Sequence, residues 1–122
     1  AYAGGAIISA AADFRIMRAD RGRFCLPEVN LGMPFPGVMN DVINLVPNKH
    51  ALKQMALTGV AYTGIECEQF DIVDAIYPLE ELQAKAFEFA KTMAQKERAN
   101  YTVIKRALRP DIARHKDRLL GS

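Results

Sequence analysis

Ala1-Tyr2-Ala3-Gly4-Gly5-Ala6-Ile7-Ile8-Ser9-Ala10-Ala11-Ala12 opens the chain. From Gly4 to Ala12 only Ser9 is polar, so the stretch reads as a short buried helix that is apolar on nearly every face. The paired glycines at its start let the backbone approach another group closely. The first N–H groups of a helix have no partner within it, and its N-terminus favours negative charge. Such a turn can supply a backbone N–H to an oxyanion. Asp13 ends the helix. A helix this apolar needs cover on several sides, and the remaining elements have to supply it.

Moving outward, Phe14-Arg15-Ile16-Met17-Arg18 alternates as a strand does, and Asp20-Arg21-Gly22-Arg23 carries turn chemistry. Phe24–Leu26 is expected as a second short strand and Asn30–Gly37 as a Pro/Gly-rich loop. Val38, Met39, Val42, Ile43 and Val46 have helical spacing, broken by Pro47-Asn48. Asn48 is placed to cap a helix with Ala51, Leu52, Met55 and Ala56 on one face and Lys49 and Lys53 on the other. Thr58-Gly59 stops that helix. Ile65–Phe70 reads as helical and Ile72–Tyr77 as a strand ended by Pro78. Leu79–Lys96, Asn100–Leu108 and Asp111–Leu120 read as helices. Three short strands cannot cover an all-apolar helix on both sides. Residues beyond this chain are therefore expected to complete the fold, and the opening at Ala1 without Met points the same way.

The 122 residues are 50% apolar and 25% charged, the balance of a globular chain and not of a disordered one. A net charge of +2 is too small to argue for nucleic acid. No apolar run approaches the ~20 residues of a membrane span. Cys25 and Cys67 follow no metal or secreted spacing and read as free thiols in a reducing compartment. His50 and His115 lie on Lys-containing helices and read as surface residues, as do Glu66 and Glu68 beside Cys67. The cations Lys105, Arg106, Arg109, Arg114, Lys116 and Arg118 are interleaved with apolar residues. They form either a solvated face or a local site for an anionic group.

The second chemically pointed stretch is Phe24-Cys25-Leu26-Pro27-Glu28-Val29-Asn30-Leu31-Gly32-Met33-Pro34-Phe35. It holds one carboxylate among apolar side chains. Burying Glu28 there is costly unless it is used or paired. It is either a general base or a structural glutamate bonded to a backbone N–H. Likewise Gly4-Gly5 is either an oxyanion turn or only a site of tight helix packing.

These residues resemble the enoyl-CoA hydratase/isomerase (crotonase) family. Ala1-Tyr2-Ala3-Gly4-Gly5-Ala6 resembles its glycine-rich oxyanion turn, and Asp13-Phe14-Arg15-Ile16 its following strand. Phe24-Cys25-Leu26-Pro27-Glu28-Val29-Asn30-Leu31-Gly32 resembles its Phe-x-x-Pro-Glu-x-x-Leu-Gly segment. Leu57-Thr58-Gly59, Ile72-Val73-Asp74 and Pro78-Leu79-Glu80-Glu81-Leu82 come next as later landmarks in the right order. The resemblance implies an α/β fold: the C-terminal part of a crotonase-like ββα spiral, mostly helical with a few short strands. Residues 1–78 would be the second half of the spiral core, and 79–122 a C-terminal helical region.

By this resemblance Gly4 supplies an oxyanion N–H and Glu28 is the catalytic glutamate. Hydratases of the family carry a second glutamate where this chain has Ile7. Adding water needs two carboxylates, whereas moving a double bond needs one base. The resemblance therefore points to a Δ3,Δ2-enoyl-CoA isomerase. A catalytically inactive structural or assembly subunit, or an enoyl-CoA hydratase, stands as the alternative. The substrate would be a fatty enoyl-CoA, met by Tyr2, Ala3, Gly5, Ile7, Leu26, Leu31, Pro34 and Phe35, with Lys105 and Lys116 near the coenzyme A phosphates. No metal or other cofactor is implied. The implied partners are a missing N-terminal half, in cis or on another chain, and copies forming a trimer or larger assembly. The implied compartment is the mitochondrial matrix or the peroxisome.

An isolated 122-residue chain is then not expected to be a stable monomer. Each covered apolar side chain contributes about 1.5–3 kcal/mol, so several left bare drive association. Sedimentation of a monomer that melts cooperatively would contradict this.

Overall fold

The computed structural model describes residues 1–2, 4–35 and 37–112. The opening helix, α1 (Gly4–Ala11), buries Ala6 and Ala10, spaced four apart on one face. It is not buried all round, as the sequence implied. Ile8 points away from the core and is 76% exposed. The cover its outer face needs is not among the described residues.

Two strands come next, β1 (Ile16–Arg18) and β2 (Arg23–Cys25). After them are the helices α2 (Glu28–Leu31), α3 (Val38–Ile43) and α4 (Lys49–Thr58). Then come β3 (Ala61–Thr63), α5 (Gly64–Gln69) and β4 (Ala75–Tyr77). The long helices α6 (Leu79–Ala94) and α7 (Arg98–Leu108) close the described part. Neither β3 nor α2 was expected from the sequence. Glu28–Leu31, read partly as loop, is one helical turn ended by Gly32 in the left-handed conformation at φ 70°. Residues 113–122, including most of the expected Asp111–Leu120 helix, lie outside the described residues, as do Ala3 and Pro36.

The strands form two pairs. β1 runs parallel to β4, with Met17 opposite Ile76, and β2 runs antiparallel to β3, with Phe24 opposite Tyr62. Between them lies the core: Ala6 and Ala10 of α1, Phe24 and Leu26, Ile43 and Val46, Ala51, Leu52 and Met55 of α4, then Tyr62, Cys67, Ile72 and Val73. All precede residue 79. Neither α6 nor α7 buries a side chain fully. α6 lies on β1 and β4, with the Phe89 ring edge-on to Phe14 at 5.0 Å between centroids. No helix among the described residues is long and apolar enough to cross a membrane.

Local chemistry fixes α4 and α5. The Asn48 side chain accepts the Ala51 N–H at 3.0 Å, and Gly59 ends α4 at φ 71°. Thr63 and Glu66 form a reciprocal capping box at the start of α5. Glu66 is thus a structural cap and not the solvated residue expected, whereas His50 is exposed.

Gly64 begins α5 beneath the β1 turn. A Cβ there would lie 2.6 Å from the Arg18 carbonyl and 3.0 Å from that of Ala19. These are backbone atoms and cannot swing aside. Gly64→Ala should therefore destabilise the complete polypeptide by about 1–3 kcal/mol, read from its urea midpoint.

Candidate functional site

The site is assembled by the first two residues. Tyr2 bridges to Cys25 in parallel, the Cys25 N–H donates to the Ala1 carbonyl at 2.9 Å, and the Ala1 nitrogen donates to the Arg23 carbonyl. Because the two segments run the same way, the chain leaves Tyr2 and leaves Cys25 at one end of the pair. Tyr2 leads into Gly4 and α1, and Cys25 leads into Leu26, Pro27 and Glu28. The Tyr2 carbonyl takes the Gly5 N–H at 2.9 Å and the Ala6 N–H at 3.4 Å. Gly4 stands ahead of both donors as the first residue of α1.

Glu28 is the first residue of α2 and only 4% exposed, the one buried charged residue among those described. Its Oε2 atom is buried and has no hydrogen-bond partner among the described residues. Such an atom costs about 1–3 kcal/mol unless something outside satisfies it. No backbone N–H among the described residues reaches that oxygen. An acidic residue in the first turn is favourably placed against the helix dipole.

The other expected site residues are dispersed around this centre. Leu26 is fully buried between β2 and Glu28. Tyr2, Leu31, Pro34 and Gly5 are exposed, and Phe35 and Ile7 are half-buried against the core. A Cβ on Gly5 would meet nothing within 4 Å among the described residues. Ala3 and Lys116 lie outside the described residues, as do Arg114, His115 and Arg118. Lys105 is not brought to Glu28; it joins Asp13 at the far end of α1. Among the described residues no group of three or more His, Cys, Asp and Glu is gathered as for a metal ion.

The sequence profile of the enoyl-CoA hydratase/isomerase family matches residues 1–120. The chain belongs to that family. It is 31% identical over 86 residues to human mitochondrial enoyl-CoA delta isomerase 1, a match covering 69% of this chain and 28% of the human protein. A probable enoyl-CoA hydratase from Mycobacterium tuberculosis superposes with a TM-score of 0.84 at 22% identity, over 92% of this chain and 47% of that one. A second structure of that same Mycobacterium tuberculosis protein, described there as an enoyl-CoA isomerase, gives 0.85 at 22% identity, over 92% of this chain and 49% of its own. The fold is therefore that of the crotonases, and the chain spans less than two thirds of each of these relatives. Their names carry both activities, so the distinction between them falls to the residues of the site.

In this member of the family α7 is tied to α1 by a polar latch that local spacing does not reveal. The Tyr101 hydroxyl donates to Asp13 Oδ2 at 2.6 Å, and Lys105 Nζ and Arg109 Nη2 lie 2.9 and 3.4 Å from Asp13 Oδ1. Arg109 also donates to the Ala11 and Ala12 carbonyls at 2.8 and 3.0 Å, capping the C-terminus of α1. Arg15 donates to the Ala10 and Ala12 carbonyls at 3.3 and 3.1 Å and to the Ile72 carbonyl at 2.7 Å. Two cationic side chains thus close the end of the helix where the dipole is negative.

Burial alone would raise the pKa of Asp13. The Tyr101 hydrogen bond and the Lys105 and Arg109 charges outweigh it and hold the carboxyl below its ordinary 3.8. A depressed carboxyl stabilises the fold above its unfolded value and ceases to do so as pH falls through its folded value. Asp13→Asn should lower the melting temperature of the complete polypeptide at neutral pH. The gap from the native sequence should close as the pH is taken below 3.8. A gap that persists unchanged in acid would show that the charge on Asp13 does not hold α7.

Proposed function

We propose that this chain carries the oxyanion turn and the proton-transferring glutamate of a Δ3,Δ2-enoyl-CoA isomerase. The observation that carries the reading is the lone buried carboxylate, Glu28, with its unpartnered Oε2, at the same end of the assembly as the start of α1. In the double-bond shift, Glu28 removes a proton from C2 of a 3-enoyl thioester. The electrons move onto the thioester oxygen as a dienolate. The Gly4 N–H, aided by the positive end of α1, supports that oxygen, and a second donor comes from outside this chain. Glu28 then returns its proton at C4, leaving the double bond between C2 and C3. One base suffices, and the proton lost is the proton regained.

Ile7 favours isomerisation over hydration. It is half-buried on the core and offers no oxygen to hold a water molecule. The likeness to the human delta isomerase agrees with this choice, and its mitochondrial name is consistent with the same compartment here. Tyr2, Leu31 and Pro34, all exposed beside Glu28 in sequence or pairing, belong to the acyl-chain wall in this reading. Lys116 belongs to the coenzyme A phosphates. The exposed face of Ile8 is covered by the N-terminal half of the spiral, and copies assemble into a trimer.

In the complete polypeptide, Glu28→Gln keeps shape and polarity but cannot take the C2 proton. Turnover of trans-3-hexenoyl-CoA should fall by at least ~10²-fold with KM little changed. Retained turnover would mean that another residue moves the proton. A native enzyme that hydrates crotonyl-CoA well and does not shift the double bond would establish the hydratase instead.

A further inference from the structure

Glu28 Oε2 has no hydrogen-bond partner among the described residues, so no bond to that oxygen within them aims the carboxylate. The placement of the backbone that carries it matters the more. That backbone is fastened on both sides to one place. Three residues before Glu28, the Cys25 thiol donates to the Gly59 carbonyl at 3.2 Å. Two residues after it, Asn30 Nδ2 donates to the neighbouring Thr58 carbonyl at 3.4 Å. Thr58 and Gly59 are the end of α4, whose core-facing Ala51, Leu52 and Met55 are buried.

We propose that the Thr58–Gly59 turn is the positioning element of Glu28, acting through Cys25 on one side and Asn30 on the other. The inference rests on the reading of Glu28 as the proton shuttle.

Three further features support it. Gly59 sits at φ 71°, which ends α4 and leaves the Gly59 carbonyl to meet the Cys25 thiol. A Cβ on Gly59 would lie 2.2 Å from Asn30 Nδ2 and 3.5 Å from Val29 Cγ1, so α2 rests directly on the space a side chain would fill. Burial, and then the negative charge of Glu28, push the Cys25 thiol above its ordinary range. The sulfur therefore keeps its proton and remains a donor to Gly59. α4 is the rigid support: its start is capped by Asn48 and its end by Gly59, whose N–H donates to the Met55 carbonyl at 2.9 Å. Proton transfer demands alignment, and a shift of about 1 Å in a reacting group can cost ~10²-fold in rate.

The test uses the complete polypeptide and trans-3-hexenoyl-CoA. Asparagine tolerates the left-handed conformation, so Gly59→Asn keeps the turn but drives a Cβ into the Asn30 amide. It should lower kcat by ~10–100-fold with KM within about twofold, because alignment and not binding is lost. Asn30→Ala alone removes one tie and should lower kcat by about three- to tenfold. Adding Asn30→Ala to Gly59→Asn removes the collision, so the double variant should recover to the level of Asn30→Ala alone. Wild-type kcat in Gly59→Asn, or a double variant no faster than Gly59→Asn, overturns the proposal. If Gly59→Asn does not fold, Asn30→Ala decides: reduced kcat at unchanged KM and Tm supports the positioning role, and wild-type kcat refutes it. Glu28→Gln run in parallel separates the two claims. Full activity there removes the shuttle itself, whereas an inactive Glu28→Gln beside a fully active Gly59→Asn removes only the positioning.

Discussion

The parallel bridge between Tyr2 and Cys25 is the interaction on which the rest depends. Two chain segments more than twenty residues apart are held side by side and pointed the same way. One continues into a helix whose first turn offers backbone N–H groups, and the other into a helix whose first residue is a buried carboxylate. Reverse that pairing and the two would leave from opposite ends. The core of the fold serves this arrangement. Leu26, fully buried, anchors the segment between the strand and Glu28, and Ala6 and Ala10 let α1 lie close to the core. Small side chains there matter as much as large ones, since helix packing distance depends on side-chain size.

Much of this was legible in the sequence, and unevenly so. The ends of α4 were readable because Asn48 and Gly59 act on their own neighbours, within three or four residues. The capping box of Thr63 and Glu66 was readable in the same way, yet Glu66 looked like a solvated charge until its backbone partner was visible. β3 escaped because Ala61–Thr63 is short and sits between Gly59 and Gly64, among turn residues that mask it. It is a strand only because β2 lies beside it. α2 escaped for a similar reason: one turn between Pro27 and Gly32 has no period to detect.

At the site, Gly4 and Glu28 stood out through residue type and through the family pattern around them. What the sequence could not supply was the manner of their support. Cys25 read as a free thiol in an apolar run, and its role as a donor to a carbonyl thirty-four residues away exists only in three dimensions. Lys105 gives another case. Its charge and place in the C-terminal third suited an anionic ligand, and among the described residues it meets Asp13, a contact the sequence did not announce. A cation's partner is settled by which carboxylate the fold brings near, and spacing along one helix carries no trace of it.

The latch between Asp13 and α7 gives the molecule a hierarchy in time. Tyr101 reaches a partner 88 positions earlier in the chain, but α6, packed on β1 with Phe89 against Phe14, already closes most of that span, so docking α7 orders little beyond α7 itself. What it gains is a few polar contacts near the surface, with no fully buried side chain of its own. α4, in contrast, sits in the core and closes its contacts early. Amide hydrogens should therefore exchange from α7 through frequent local openings, whereas those of α4 wait for the whole molecule to unfold. By this reasoning α7 should open more readily than α4, on whose end the segment around Glu28 rests.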